Sequence, residues 1–503
     1  MTALSELLPA GGAGKVMDFV ASGTLPNGQA VVLKSNGQVE VVAETIYTPS
    51  MPLGTTVNFV SQAFEYSLIA ADPHNNTRWA AVWTDDAGTK YVRVIIITRS
   101  GTTLSVSSIS DAYTNGNASQ PCIAWDENTP NNFLLTFNNV NNRGSAIVGT
   151  VAGSTGSETI SYGSLLNQYS SIGIYGPTLS ALGTSGNYLL TWGNSTSDYP
   201  YGRILTVSGT TVTVTGSDTI LASVVMHNSN AQSHALNTTD NTKAVLVYID
   251  NPNKYIHGIS LSISGTTITP STSVNLSGTD QYTDGTGDPH IQPVSATTYL
   301  VGARAAGAGY GYAFIITDNG STLSSGTRAA FASTDISNIA ISNNKASPYT
   351  CSIMYKSTTG YPTGVVGSIS GTSITFNTAT VLDSTNNLLN WPALSQQSDT
   401  NGNFVGMFRS SNSIGGYFVL GYTGDTVTTL TATNFVGLTT EAISDTATGS
   451  ITLQGGLSTN QSSLTVGSNY YVQPDGTLAT TAGTPSVVAG QAISSTSLQL
   501  QGV

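Results

Sequence analysis

Eight tyrosines recur at one place in a repeating pattern. Tyr91, Tyr199, Tyr201, Tyr255, Tyr310, Tyr312, Tyr361 and Tyr417 each follow an apolar run and stand at or near the start of the next. Tyrosine offers a flat apolar ring with a hydroxyl at its edge, which suits stacking on a sugar and hydrogen bonding at its rim. The plainer reading is that tyrosine favours strand starts. The other reactive side chains are dispersed. His74, His227, His234, His257 and His290 fall in different segments without metal-ligand spacing, so satisfied structural histidines are expected. No Gly-x-Ser-x-Gly turn with obvious partners is present. Asp280, Asp284 and Asp288 in "TDQYTDGTGDPH" stand four apart, whereas a calcium loop needs alternate positions and a closing Glu. They read as a polar connection, with a structural cation as the alternative. Cys122 and Cys351 sit in apolar strand patterns and read as buried free thiols. No catalytic residue, cofactor or metal is therefore expected, and the chain reads as a non-enzyme.

The segments that carry the tyrosines repeat. "RSGTTLSVSS" (99–108), "VSGTTVTVTGS" (207–217), "SLSISGTTITPST" (260–272) and "SISGTSITFNT" (368–378) are versions of one hairpin. Its glycine recurs at Gly101, Gly153, Gly209, Gly265, Gly320, Gly371 and Gly424, with successive gaps of 52, 56, 56, 55, 51 and 53 residues. Upstream of each lies a short apolar run such as "RWAAVW" (78–83), "NYLLTW" (187–192) or "KAVLVY" (243–248). Four of these runs are preceded by a Pro-led segment: "PCIAW", "PTLSA", "PHIQP" and "PALSQ". Each unit reads as four antiparallel strands, with glycine supplying the positive φ of the turn between the third and fourth.

A four-stranded unit of about 50 residues matches a propeller blade. Immunoglobulin-like modules need about 100 residues each. The expected fold is all-β: a seven-bladed β-propeller with a small composite β domain formed by the N- and C-terminal segments. An eighth hairpin, "LGTTVNFVSQAF" with Gly54, lacks the three strands that should precede it. It reads as a closing strand (54–64) that completes the blade around 390–424, displacing "TVTTLTATNFV" (426–436) to the edge or exit. The expected domains are 1–48 for the N-terminal part of the composite domain, 54–436 for the propeller, and 437–503 for the C-terminal part. The two termini share a hairpin, at Asn36-Gly37 and at Asp475-Gly476, and both dipeptides are two-residue turn signals.

Composition narrows the partners. Charged residues make up 8% of the 503, with 53 glycines and a formal charge of −12, so no basic stripe exists to neutralise phosphates. Nucleic acid is excluded as a partner. No apolar run approaches the ~20 residues of a membrane-spanning helix, so membrane insertion is not expected.

Two segments carry a resemblance. "MDFVASGTLPNGQAVVLKSNGQVEVV" and, more specifically, "LTVGSNYYVQPDGTL…VAGQAIS" resemble stretches that recur in virion appendage proteins of tailed bacteriophages, including tail fibres. The resemblance implies a structural virion protein, a homo-oligomer bound to other virion proteins. Within that class a tail fibre or appendage whose propeller binds a host surface receptor is expected, and the tyrosines make a glycan the expected receptor. The eight tyrosines would form its receptor-binding face. The alternatives are a capsid-decorating knob or head fibre and, last, a glycan-degrading enzyme. For the last, "TDDAGTKY" (84–91) partly resembles the Asp-box of sialidase propellers through Thr84, Asp86, Gly88 and Tyr91, but Lys90 replaces a Thr. The eight arginines are spread over the chain rather than clustered.

Overall fold

The computed structural model describes residues 15–501 apart from 47–55, 87, 89, 140, 184–185, 228–231, 252, 283–288, 321, 345–348, 391, 398–402, 411–414, 423–425 and 484. Among the described residues every regular element is a strand and none is a helix. Two compact units form, one from 48–425 and one from 1–47 together with 426–503.

Within 48–425 the apolar runs become the second strand of successive antiparallel sheets. The strand Arg78–Asp85 is buried at every position, as are the apolar positions of Asn187–Asn194 and Lys243–Ile249. A strand buried on both faces reads as a continuous apolar run rather than an alternation. Among the described residues seven sheets are built on this plan, each with four main strands, and a short extra strand pairs with the third strand in several of them. The first strands of the sheets are Phe64–Ala71, Ser119–Trp125, Ile174–Leu182, Gln232–Leu236, His290–Pro293, Ser337–Asn343 and Ala393–Gln396. Each touches the next in this order, and the last touches the first. The sheets therefore succeed one another around a ring with these strands innermost, an all-β, propeller-like arrangement.

The core is accordingly a series of layers between neighbouring sheets. Val82, Val94 and Ile96 of the first sheet pack on Ile123 and Leu135 of the second. Leu134 and Cys122 of the second pack on Leu190 and Leu179 of the third. The series ends with Val405 and Met407 of the seventh sheet against Ile69, Trp79 and Ala81 of the first. Burial of apolar area drives this packing at ~25 cal/mol per Å².

Four of the recurring glycines do what their spacing implies, while Gly153 and Gly320 take positive φ, 99° and 87°, in longer loops. Gly101, Gly209, Gly265 and Gly371 take φ of 58–59°. Each is the first of two residues joining the third strand to the fourth, as in Ile256–Ser264 and Thr267–Pro270. Nothing lies within 4 Å of a Cβ built at any of the four, so the requirement is conformational and not spatial. Gly54 and Gly424 lie outside the described residues. The strand Val57–Val60 pairs antiparallel with Gly415–Tyr422, making it the outer strand of the seventh sheet. Residues 426–436 do not belong to that sheet: Thr426–Thr428 pairs with Glu44–Ile46, and Phe435–Thr439 enters a sheet of the other unit.

In the unit of the two termini, one five-stranded sheet interleaves both ends in the order Val16–Val20, Thr448–Leu453, Phe435–Thr439, Ala30–Leu33, Val39–Val41. A second sheet uses only strands between Leu457 and Leu500. The turns at Asn36-Gly37 and Asp475-Gly476 share one geometry, but it is not the two-residue turn expected of those dipeptides. Lys34 N–H donates to Gln38 O and Gly37 N–H to Lys34 O, as Gln473 N–H does to Thr477 O and Gly476 N–H to Gln473 O. Each loop thus has three residues, with glycine at φ 84° and 83° closing it.

Because the hairpin glycines are constrained by φ alone, Gly265→Ala is expected to destabilise the 48–425 unit by ~1–2 kcal/mol. Thr266→Ala beside it is expected to stay within about 0.5 kcal/mol of the parent. Urea unfolding midpoints of the two variants test this, and equal midpoints would refute the conformational account.

Candidate functional site

The hairpin joining the second and third strands is built alike in sheet after sheet. The last residue of the second strand or the one following it accepts or donates at the turn, and a tyrosine follows. Asp85 N–H donates to Tyr91 O, Asn194 to Tyr199, Asp250 to Tyr255, Ala305 to Tyr310 and Ser357 to Tyr361. In two of the sheets the carboxylate also closes the loop: Tyr91 N–H donates to Asp85 Oδ1 at 2.7 Å and Tyr255 N–H to Asp250 Oδ1 at 2.6 Å. Since the four strands of each sheet run alternately up and down, these hairpins all lie at one end of the ring, the end where the innermost strands begin.

The eight tyrosines divide into two positions two residues apart. Tyr91, Tyr199, Tyr255, Tyr310 and Tyr361 occupy the turn position. Tyr201, Tyr312 and Tyr417 lie inside the third strand, directly across from Trp192, Ala303 and Phe408. The rings of Tyr201 and Tyr417 stack on those neighbours, with centroids 6.1 Å from Trp192 and 5.6 Å from Phe408. In two of the other sheets the same inner position is held by Arg93 and His257, and in the remaining two by Ser145 and Thr363. Tyr310 is 36% exposed, and the other seven are half-buried. The structure therefore brings these tyrosines to one end of the ring, in separate sheets, rather than into one continuous aromatic surface.

Arginines gather at the same end, which the reading of the sequence missed. Arg93 bridges Asp85 and Asp111 at 3.0 Å each and lies over the Tyr91 ring. Arg304 pairs with Asp335 at 2.8 Å, Arg409 with Asp86 at 3.3 Å, and Arg203 with Asp218 at 3.0 Å. Arg328 is the most elaborate case. It meets Asp280 at 2.6 Å, donates to Tyr282 Oη at 3.1 Å, and lies 5.1 Å above the centre of the Tyr312 ring. Sorted by position within the repeat, Arg93, Arg203, Arg304 and Arg409 fall near the junction of the second and third strands, and Arg328, just before the extra strand Ala329–Ala332, reaches Tyr312 there. Sorted by number, they look scattered. Asp280 thus serves an ion pair, Asp284 and Asp288 lie outside the described residues, and no cluster of metal-ligating side chains occurs among the described residues.

The remaining reactive groups are structural. Both cysteines are buried and free, and burial pushes each thiol up to about 12. His234 sits 3.0 Å from Ser180 Oγ through Nε2 and 2.8 Å from Thr191 Oγ1 through Nδ1. This has the outline of a nucleophile and its base. Burial, however, holds the imidazole down to about 3, and no carboxylate contacts Nδ1 to stabilise an imidazolium. The arrangement is a polar tie between the third and fourth sheets.

No family model and no curated protein sequence matches the chain. Solved structures do. A lectin from Burkholderia pseudomallei is 12% identical, with a TM-score of 0.50 over 75% of this chain and 98% of its own. An intramolecular trans-sialidase from Ruminococcus gnavus is 11% identical, with a TM-score of 0.40 over 73% of this chain and 95% of its own. A fucose-specific lectin from Aleuria aurantia is 13% identical, with a TM-score of 0.40 over 60% and 96%. The first of these shows a shared fold and nothing finer. The expectation of a non-enzyme is corrected here, since several sialidases stand among the matching structures. The expectation rested on the lack of a recognisable catalytic set in the sequence, and that lack is no ground for excluding catalysis.

His234 supplies a test of the packing. Its folded value lies below the ordinary 6.5, so the unfolded chain binds the extra proton. The stabilisation is complete above pH 6.5 and is lost as pH falls toward 3. Between pH 7 and pH 5 this group is expected to cost about 2 kcal/mol of stability. His290 beside it, lowered to about 4 by burial, acts in the same direction. In His234→Gln the decline over that interval should shrink by about 2 kcal/mol, read from urea unfolding at the two pH values. An unchanged decline would show that the imidazole is not held neutral by burial.

Proposed function

We propose that the chain is a virion appendage protein of a tailed bacteriophage. Its ring of sheets is a seven-bladed β-propeller that binds a host surface glycan through the end carrying the tyrosine hairpins. The unit of the two termini joins other virion proteins as a homo-oligomer. One observation carries the binding reading: the same hairpin, with tyrosine at its turn, recurs at one end of five sheets. Half-buried rings beside Arg–Asp pairs combine an apolar platform with fixed donors and acceptors, the mixture a sugar requires. A single shallow site of this kind binds weakly. Repetition around the ring, and again over an oligomer, multiplies avidity by about 10²–10⁴ without new contacts. The appendage reading rests on the terminal segments "MDFVASGTLPNGQAVVLKSNGQVEVV" and "LTVGSNYYVQPDGTL".

Two measurements test the two halves. Purified protein added to host cells is expected to block phage adsorption, and Tyr199→Ala combined with Tyr310→Ala is expected to weaken blocking by about tenfold or more. Undiminished blocking by the double variant would remove the hairpins from the binding surface. Immunogold labelling of whole virions should place the protein on the tail. Gold on the head would make it a capsid-decorating fibre, and unlabelled virions would end the appendage reading.

A further inference from the structure

The innermost strands share an irregularity that the hairpins do not explain. In four of them one extra residue is inserted at the same place, between Glu65 and Leu68, Ser119 and Cys122, Tyr175 and Thr178, and Ser337 and Ile339. The inserted positions hold left-handed backbone: Tyr66 at φ 49°, Gln120 at 51°, Gly176 at 52° and Asn338 at 52°. Three of the four are not glycine. Bulges of this kind re-aim a side chain, and strained non-glycine residues collect where a site needs them. Three of them, Tyr66, Gln120 and Gly176, line a cavity of about 580 Å³ enclosed by the innermost strands.

The chemistry of the cavity is specific. Gln232 is 4% exposed and lines it. Its amide donates to Gly176 O at 3.0 Å, while its Oε1 is buried with no hydrogen-bond partner among the described residues. Ser180 also lines the cavity, its Oγ tied to His234 Nε2 at 3.0 Å. No Lys, Arg or Asp lines the cavity among the described residues, and Glu127, its one carboxylate, belongs to the loop at the opposite end. The volume falls within the ~300–1,000 Å³ of ordinary ligand sites.

We propose that this axial cavity is a binding site for a small uncharged polyhydroxylated molecule of monosaccharide size, with the Tyr66 ring as its platform and Gln120 and Gln232 as its amide contacts. The site is separate from the tyrosine hairpins and independent of that reading. A charged sugar is disfavoured because no Lys or Arg lines the cavity among the described residues.

The test is calorimetric titration of the purified full chain with methyl glycosides of glucose, galactose, mannose and fucose, and with N-acetylneuraminate as the charged counterpart. At least one neutral glycoside is expected to bind, with a dissociation constant of ~1 mM or tighter. Binding should fall by about tenfold or more in Gln232→Met and in Tyr66→Gly. The second variant keeps a left-handed backbone without strain, so loss of binding there reports the ring and not misfolding. Failure of all four neutral glycosides to bind, undiminished binding in both variants, or tighter binding of N-acetylneuraminate would each overturn the proposal. The readout is binding in solution rather than cell adsorption, so failure of the hairpin reading leaves this result standing.

Discussion

Every sheet of the 48–425 unit buries both of its faces, and that is possible only if the stack has no end. The contact between Val405 and Met407 of the seventh sheet and Trp79 and Ala81 of the first removes the two faces an open stack would leave in water. The outer strand of the seventh sheet, Val57–Val60, precedes all the others in the chain. The first sheet therefore cannot move away from the last without breaking a strand pairing as well as an apolar contact. Ring closure explains why the second strands are buried at nearly every position, and how so weakly charged a chain finds a core.

The same constraint decides where variation is tolerated. Strand interiors are fixed by neighbours on both sides: Gly258 and Gly302, for instance, would place a Cβ within 3 Å of Leu276, Leu323 or Ile341 side chains. The hairpins that join the second strands to the third carry tyrosines and ion pairs instead, and repetition of the sheet repeats that chemistry. Asp85, Asn194 and Asp250 occupy one structural position in three sheets, and two residues past the turn tyrosine the third strand offers Arg93, Tyr201 or His257. A single fold solution thus presents a series of related surfaces that differ in charge. The arginines do not leave that end strongly positive, because most of them are paired with an aspartate from a neighbouring segment.

Much of this architecture is legible in the residues themselves. The positive φ of Gly101, Gly209, Gly265 and Gly371 is a local demand that any sequence must meet with glycine, so their spacing reads out the repeat directly. The isolated strand after Gly54 is equally legible as an unpaired piece that needs a partner. The turns at Asn36-Gly37 and Asp475-Gly476 are less so, since the dipeptide does not distinguish a two-residue loop from a three-residue one closed by a left-handed glycine. The clustering of Arg93, Arg304, Arg328 and Arg409 at one end is visible only once each residue is placed within its unit. The absence of a known catalytic set is weaker still as a signal, because catalytic groups that come from different sheets leave no local motif.

The bulges were hidden for a different reason. Pro121 and Pro177 mark two of them, since a residue without an N–H is accommodated in a sheet at an edge or a bulge, but Tyr66 and Asn338 carry no such mark. A left-handed tyrosine, glutamine or asparagine costs about 1–2 kcal/mol that glycine would avoid. Gln120 and Asn338 offset part of this by reaching across to the neighbouring sheet: Gln120 Oε1 accepts from Gly176 N–H at 3.1 Å, and Asn338 Nδ2 donates to Leu389 O at 3.4 Å. Strain in one strand is thus exchanged for a tie to the next, and the ring holds the geometry because the sheets on either side cannot separate. The closure that stabilises the fold is also what permits irregular backbone at its axis, where the innermost strands come closest to a shared cavity.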